Sequence, residues 1–170
     1  THAHSQLIAM PVNPIRLKDE LAGARQYFEY KERCIFCDII KQETQEKERV
    51  ILENKYFIAF CPFVSRFPFE IWIIPKKHNS YFCHMQVDET PELASILKDT
   101  LTKIKNVFAS PAYNFMLHSA PVTNDDGIEY YHWHIELMPK LTRVAGFEWG
   151  SGFYVVSTPP ELAAKYLREK

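Results

Sequence analysis

Hydrophobic and polar residues follow two different periods along this chain of 170 residues. Apolar residues recur at helical spacing from about Ile15 to Lys31 and again after Pro91, and this spacing predicts two helices. The second helix should begin with Thr90 as its N-cap and Pro91 at its first position. Runs rich in β-branched and aromatic residues predict strands at 49–53, 55–60, 69–74, 113–117 and 130–138, with a turn at 124–127 joining the last two.

Three shorter segments complete the predicted organisation. Ser5–Met10 should be the end of a strand, and the charged run Lys41–Arg49 should be a solvated loop face. The sequence Thr158-Pro-Pro-Glu161 should form the capping box at the start of a short helix near residue 160. In it, the side chains of Thr158 and Glu161 would accept hydrogen bonds from free N–H groups. Together these elements predict an α+β fold, an antiparallel sheet with flanking helices, whose main unit spans about residues 34–140.

Composition excludes several classes of protein. Twenty Lys and Arg against 21 Asp and Glu leave a net charge of −1, so a dedicated nucleic-acid binder is not expected. Apolar runs such as Phe57–Phe60 are far shorter than the roughly 20 residues that cross a bilayer. Four Cys are too few for a disulfide scaffold, and a cytoplasmic protein is expected. Because the chain starts at Thr1, we expect a fragment or a processed product.

The first candidate for chemistry is His2-Ala-His4-Ser5-Gln6. On a strand, side chains two residues apart share a face, so His2, His4 and Gln6 would converge on one site. A neutral imidazole is a competent nucleophile toward an activated phosphorus, and an amide can hydrogen-bond the phosphate oxygens. The alternative is a chain end with unrelated histidines or the remnant of a purification tag.

The second candidate is the Cys34-Ile-Phe-Cys37 motif. Thiolates at this spacing can bind one tetrahedral Zn²⁺ if two further ligands come from elsewhere. His78 and one histidine of His132-Trp-His134 would complete a closed, structural site. A redox pair and ordinary buried thiols are the alternatives, although no thioredoxin-type βαβ pattern surrounds the motif.

Two weaker sets of residues remain. Glu20, His118 and His134 could bind a second divalent metal, although strand histidines often only fill hydrogen-bonding positions. The glycine-rich segment 145–152 contains Phe147 and Glu148 and would suit a sugar, whose ring stacks on an aromatic side chain. A tight loop with packing aromatics is the alternative.

These motifs in this order resemble the galactose-1-phosphate uridylyltransferase family of the histidine-triad (HIT-like) superfamily. The resemblance covers nearly the whole chain and rests on seven segments: 2–6, 34–37, 67–70, 74–78, 118–121, 132–134 and 145–148. The family has two HIT-like halves in one polypeptide, and its His-x-His-x-Gln motif closes the first half. The resemblance therefore implies that residues 1–33 are the tail of a first half, and that residues 34–170 are a second, C-terminal HIT-like domain.

The resemblance also implies roles for individual residues. His4 would attack the α-phosphorus of UDP-glucose and become uridylylated, and galactose 1-phosphate would then take the uridylyl group. Gln6 would hold the phosphate oxygens, the backbone at Ser5 would approach them, and the His2 carbonyl would orient the nucleophile. Phe147 and Glu148 would belong to a segment that reaches the sugar, often across the interface of a homodimer. The partners implied are nucleotide sugars and sugar phosphates, with no nucleic acid and no membrane.

The same resemblance implies two metal sites that compete for one residue. Cys34, Cys37, His78 and His132 match a structural zinc site, whereas Glu20, His118, His132 and His134 match a second site for iron or zinc. Only one assignment of His132 can hold, and the thiolate set is favoured because thiolates suit zinc better.

Related functions remain alternatives to uridylyl transfer. ADP-glucose phosphorylase and dinucleoside-tetraphosphate phosphorylase use the same His-x-His-x-Gln chemistry. A free-standing hydrolase with His134 as nucleophile is disfavoured because Glu136 occupies the third triad position. The last alternative is a zinc-stabilised, non-catalytic assembly module.

Overall fold

The computed structural model describes residues 4–8, 11–12, 14–121 and 128–170, which form five α-helices and five strands. The helices are α1 (Ile15–Lys31), α2 (Ile35–Glu46), α3 (Thr90–Phe108), α4 (Gly146–Ser151) and α5 (Pro160–Arg168). The strands are β1 (Val50–Glu53), β2 (Phe57–Phe60), β3 (Ile71–Pro75), β4 (Tyr113–His118) and β5 (His134–Pro139). His2 and the predicted turn at 124–127 lie outside the described residues.

The five strands form one antiparallel sheet in the order β1-β2-β3-β5-β4. The last strand in the sequence is therefore inserted between β3 and β4. Its first residue, His134, lies directly opposite His118, and Glu136 lies opposite both Trp72 and Met116. This register brings three residues with ionisable side chains together on β5 and the edge strand β4. The antiparallel sheet and its helices confirm the predicted α+β class.

The two faces of the sheet pack against different helices. On one face, α3 and α5 cover a core that includes Trp133, Ile135 and Leu137. On the other face, α1 and α2 cover a core that includes Phe36 and Tyr131. Because side chains alternate along a strand, the histidines between these apolar residues face α1 and α2. Among the described residues, no helix is both long and apolar enough to span a membrane.

Helix α3 confirms the predicted apolar stripe, since Leu93, Ile96 and Ile104 are buried. Its start differs by one residue: Glu89 is the N-cap and Thr90 is already helical. The capping box predicted for α5 is wrong. Pro159 occupies the N-cap position with no side-chain cap hydrogen bond, which places Thr158 one residue too early to cap.

The prediction of a solvated loop over Lys41–Arg49 is also wrong. Helix α2 continues to Glu46, and the side chains of Glu43 and Arg49 are buried as an ion pair. Residues 4–8 are exposed and lie in no helix or strand, so the predicted strand over Ser5–Met10 does not form there. Finally, β5 begins at His134 rather than at residue 130, and the segment predicted as a glycine-rich loop contains the short helix α4.

Candidate functional site

The first cluster forms where the start of α2 meets the ends of two strands. Cys34 immediately precedes α2, Cys37 lies in its first turn, His78 follows β3, and His132 precedes β5. One potential ligand atom from each of the four residues lies within 4.8 Å of the others. Sγ of Cys37 is 3.4 Å from Nδ1 of His78 and 3.7 Å from Nδ1 of His132. The structure thus groups His132 with the thiols.

The chemistry of this cluster fits a cation with a preference for sulfur. Nε2–H of His132 donates to the Pro75 carbonyl at 2.9 Å, which leaves the lone pair of Nδ1 facing the thiols. Histidines that bind metals commonly have their second nitrogen fixed in this way. The hydrogen bond from Cys37 lowers the pKa of Cys34 well below its usual value despite burial. The pair therefore presents a thiolate, the form that binds zinc.

The second cluster lies on the same face of the sheet and consists of Glu20, His118 and His134. Glu20 reaches it from α1, and one carboxylate oxygen is 3.0 Å from Nδ1 of His118. The other carboxylate oxygen is 3.4 Å from Nε2 of His134 and accepts a hydrogen bond from Tyr131 at 3.2 Å. α1 thus supplies the only carboxylate of the set.

His134 is the most informative member of this cluster. Its side chain is fully buried, and Nδ1–H donates to the His132 carbonyl at 3.1 Å, so Nε2 carries the lone pair. Nε2 has no hydrogen-bond partner among the described residues. Burial lowers the pKa of His134 to about 4, which keeps the ring neutral at physiological pH. A buried acceptor without a donor is costly, and a metal ion would satisfy it.

A network of charges adjoins the second cluster, and its three members were not predicted as site residues. Arg66 forms ion pairs with Glu70 and Glu136, both of which are buried. Glu70 belongs to a motif that carried the family resemblance, and Glu136 follows the histidine pair at strand spacing. These two signals could have found the carboxylates, whereas nothing in the sequence marks Arg66.

The residues predicted to bind substrate lie at the surface. His4, Ser5 and Gln6 are exposed within the segment 4–8. Phe147 and Glu148 lie in α4, where a carboxylate oxygen of Glu148 accepts a hydrogen bond from the Ala145 N–H at 3.0 Å. Phe147 is exposed, as are three further apolar side chains in α4 or just after it, Trp149, Phe153 and Val155.

Two sequence relatives of this chain are named for two different activities. An ADP-glucose phosphorylase from Arabidopsis thaliana is 39% identical over 170 residues, which cover 99% of this chain and 47% of that protein. A galactose-1-phosphate uridylyltransferase from Thermotoga maritima is 33% identical over 175 residues, covering 99% of this chain and 54% of that protein. The chain therefore spans about half the length of these curated relatives.

Solved structures are similar to this chain over most of its length. The crystal structure of the Arabidopsis thaliana ADP-glucose phosphorylase with bound ADP-glucose has a TM-score of 0.86 at 38% identity, covering 95% of this chain and 51% of that one. A HIT-like protein from Bartonella henselae has a TM-score of 0.58 at 18% identity, covering 79% of this chain and 93% of that one. This second similarity concerns the fold alone, and it confirms the predicted HIT-like fold.

The family profile explains why the matches reach only half of each enzyme. Residues 20–151 match the family described as "Galactose-1-phosphate uridyl transferase, C-terminal domain". This range contains both clusters, the sheet that aligns them and the helix α4. The chain therefore belongs to the galactose-1-phosphate uridyl transferase family, within which it corresponds to the C-terminal domain and a short segment before it.

Proposed function

We propose that this chain is the C-terminal part of a nucleotidyltransferase that transfers a uridylyl group from UDP-glucose to a hexose 1-phosphate, most specifically galactose 1-phosphate. The observation that carries the proposal is the extent of the sequence matches. Uridylyltransferases align over 99% of the chain, which includes the His-x-His-x-Gln segment as well as the domain that follows. Residues 1–33 would be the tail of a first HIT-like half, and residues 34–170 the second.

In this proposal His4 is the catalytic nucleophile. Its imidazole nitrogen forms a bond to the α-phosphorus as the bond to glucose 1-phosphate breaks, and the hexose 1-phosphate oxygen then displaces the imidazole. Gln6 donates to the phosphate oxygens, while backbone groups at Ser5 and His2 position the phosphate and the ring. Phe147 and Glu148 would contact the sugar. The exposed apolar side chains around them support a homodimer in which this segment meets a second copy.

A second candidate function is that of an ADP-glucose phosphorylase. The observation that favours it is the 39% identity to the Arabidopsis thaliana enzyme, compared with 33% for the Thermotoga maritima uridylyltransferase. The nucleophile would be the same, and the transferred group would be adenylyl. A dinucleoside-tetraphosphate phosphorylase and a non-catalytic zinc module are the remaining alternatives. All of these would act in the cytoplasm.

We also propose that Cys34, Cys37, His78 and His132 hold a structural zinc ion. Four protein ligands leave no position open for a substrate, so the zinc would contribute to folding rather than to a chemical step. Glu20, His118 and His134 would hold a second divalent ion, iron or zinc, with His132 committed to the first site. The free nitrogens of His132 and His134 support this division, because each faces its own cluster.

Intact-protein mass spectrometry tests the reaction. The natural polypeptide that contains this chain is incubated separately with UDP-glucose, ADP-glucose and diadenosine tetraphosphate, alongside His4→Asn, His134→Asn and the control His84→Asn. His84 is an exposed histidine outside both clusters. A uridylyl adduct lost only in His4→Asn is the expected result, and an adenylyl adduct would identify a phosphorylase. Loss of the adduct in His134→Asn but not in His4→Asn would refute the assignment of the nucleophile, and the absence of any adduct would favour the non-catalytic module.

A further inference from the structure

The inference concerns Glu136, which lies beside the second cluster. Strand alternation puts Glu136 on the same face of β5 as His134, and its side chain is buried. One carboxylate oxygen is 3.7 Å from Nε2 of His118, and the other is 4.0 Å from Nε2 of His134. The His118 ring therefore lies between two carboxylates, because its other nitrogen faces Glu20.

The charges around this point do not balance. Two buried carboxylates, Glu70 and Glu136, share the guanidinium of Arg66. A third carboxylate that is largely buried, that of Glu20, has no arginine or lysine partner among the described residues and faces the two histidines. Glu70 needs little further compensation, since it also accepts hydrogen bonds from the backbone N–H groups of Arg66 and Phe67 and from the indole of Trp72. The remaining negative charge therefore lies on the side of Glu20 and Glu136, next to His118 and to the unpartnered Nε2 of His134.

This arrangement selects a cation and rejects a phosphate. An α-phosphate placed at Nε2 of His134 would lie beside the carboxylates of Glu20 and Glu136, and like charges repel strongly in a buried site. A divalent cation at the same place would neutralise both carboxylates and satisfy the free lone pair of His134. Carboxylate oxygen and imidazole nitrogen are suitable ligands for such ions.

We propose that Glu136 supplies a fourth ligand group to the cation site of Glu20, His118 and His134, and that Arg66 competes with the cation for the Glu136 carboxylate. The inference rests on the second metal site described under the proposed function and adds the residues that regulate its affinity. It gives Arg66 the role of a positioning residue, because its guanidinium acts through Glu136.

Cobalt titration tests the inference. The 170-residue chain is first loaded with one equivalent of Zn²⁺, which the thiolate cluster takes preferentially. Co²⁺ is then added and followed by visible absorption and calorimetry, since a nitrogen and oxygen site lacks the charge-transfer bands of a cobalt thiolate. Glu136→Gln should weaken Co²⁺ binding by about tenfold or more. Arg66→Gln should tighten it, a gain that a misfolded variant could not produce.

Glu70→Gln is the matched control, because Glu70 contacts the same guanidinium and is equally buried. It should weaken Co²⁺ binding clearly less than Glu136→Gln does, because it leaves Arg66 to Glu136 alone but removes no ligand. The inference would be overturned if Glu136→Gln bound Co²⁺ normally, if Glu70→Gln weakened binding as much, or if Arg66→Gln failed to tighten it. Failure of the unsubstituted chain to bind Co²⁺ would refute the second metal site as well. The His4 adduct is measured separately, so neither result decides whether nucleotidyl transfer occurs.

Discussion

Replacing Arg49 by Met should destabilise the domain strongly, because Arg49 compensates a buried carboxylate. Its guanidinium lies 2.9 Å from Glu43, and the two side chains are only 7% and 3% exposed. One oxygen of Glu43 has no hydrogen-bond partner among the described residues, so the carboxylate depends on Arg49. Breaking a buried pair of this kind costs about 3–5 kcal/mol in the free energy of unfolding. At about 2–4 °C per kcal/mol for a domain of this size, Tm should fall by about 6–20 °C.

Urea unfolding followed by far-UV circular dichroism measures the effect. The matched control is Arg25→Met, which removes an exposed pair with Glu29 whose side chains are 65% and 69% exposed. Exposed pairs of this kind are worth about 0–1 kcal/mol, so the control should change stability little. The effect of Arg49→Met matters for the site because Glu43 lies on α2, the helix that follows Cys34 and carries Cys37 in its first turn.

A double variant separates the effect of the ion pair on stability from the effect of lost packing. Glu43→Leu combined with Arg49→Met removes both charges, and it should recover most of the lost stability because no unpaired charge stays buried. The reasoning would be refuted if Arg49→Met cost no more than Arg25→Met. It would also be refuted if the double variant were as unstable as the sum of its two single changes.

Three further predictions follow from burial and charge. With zinc bound, an alkylating reagent should label the exposed Cys83 first, the metal-site thiols only after chelation, and the buried Cys61 only on unfolding, as mass spectrometry would show. Rapid labelling of all four thiols without a chelator would contradict the zinc site. Hydrogen bonds from its own backbone N–H and from Arg49 lower the pKa of Glu161 in the folded state. Glu161 therefore stabilises the fold above its unfolded pKa of about 4.5, and this contribution is lost as the pH falls through the folded pKa. Glu161→Gln should weaken the pH dependence of urea unfolding between about pH 6 and pH 3, and an unchanged slope would contradict the assignment. Trp149→Ser should shift the proposed homodimer toward monomer in analytical ultracentrifugation, whereas an unchanged sedimentation coefficient would exclude Trp149 from the interface.

The elements that could be predicted from the sequence are those with a recognisable local pattern of apolar residues. The stripe of α3 and the β-rich runs of β1 to β3 need only local periodicity to be recognised, and the structure contains them. Helix α2 was not predicted, because the charged residues of its C-terminal half suggested a solvated loop. Glu43 and Arg49 are buried only because each compensates the other, and a pattern that weighs residues one at a time does not reveal such a pair.

The cysteine cluster could be predicted because the Cys-x-x-Cys spacing is local and histidines in neighbouring strands are easily paired with it. The network of Arg66, Glu70 and Glu136 depends instead on strand order, since β5 is inserted between β3 and β4. The sequence does not specify that insertion. Consequently Glu136 was recognised only as an unsuitable member of a histidine triad, and its counterion was not recognised at all.

The two histidines of the His132-Trp-His134 motif are both poorly placed to act as nucleophiles toward a phosphate. Each ring donates through one nitrogen to a backbone carbonyl, His132 to Pro75 and His134 to His132, so each has a single free nitrogen. The free nitrogen of His132 faces thiols, and that of His134 faces carboxylates. With zinc bound at the thiols, the free nitrogen of His132 would not be available to a phosphate. At His134, a phosphate would lie next to negatively charged carboxylates. Chemistry on a nucleotide is thus disfavoured at both rings, and this supports His4, whose segment carries no carboxylate, as the residue that forms the proposed covalent intermediate.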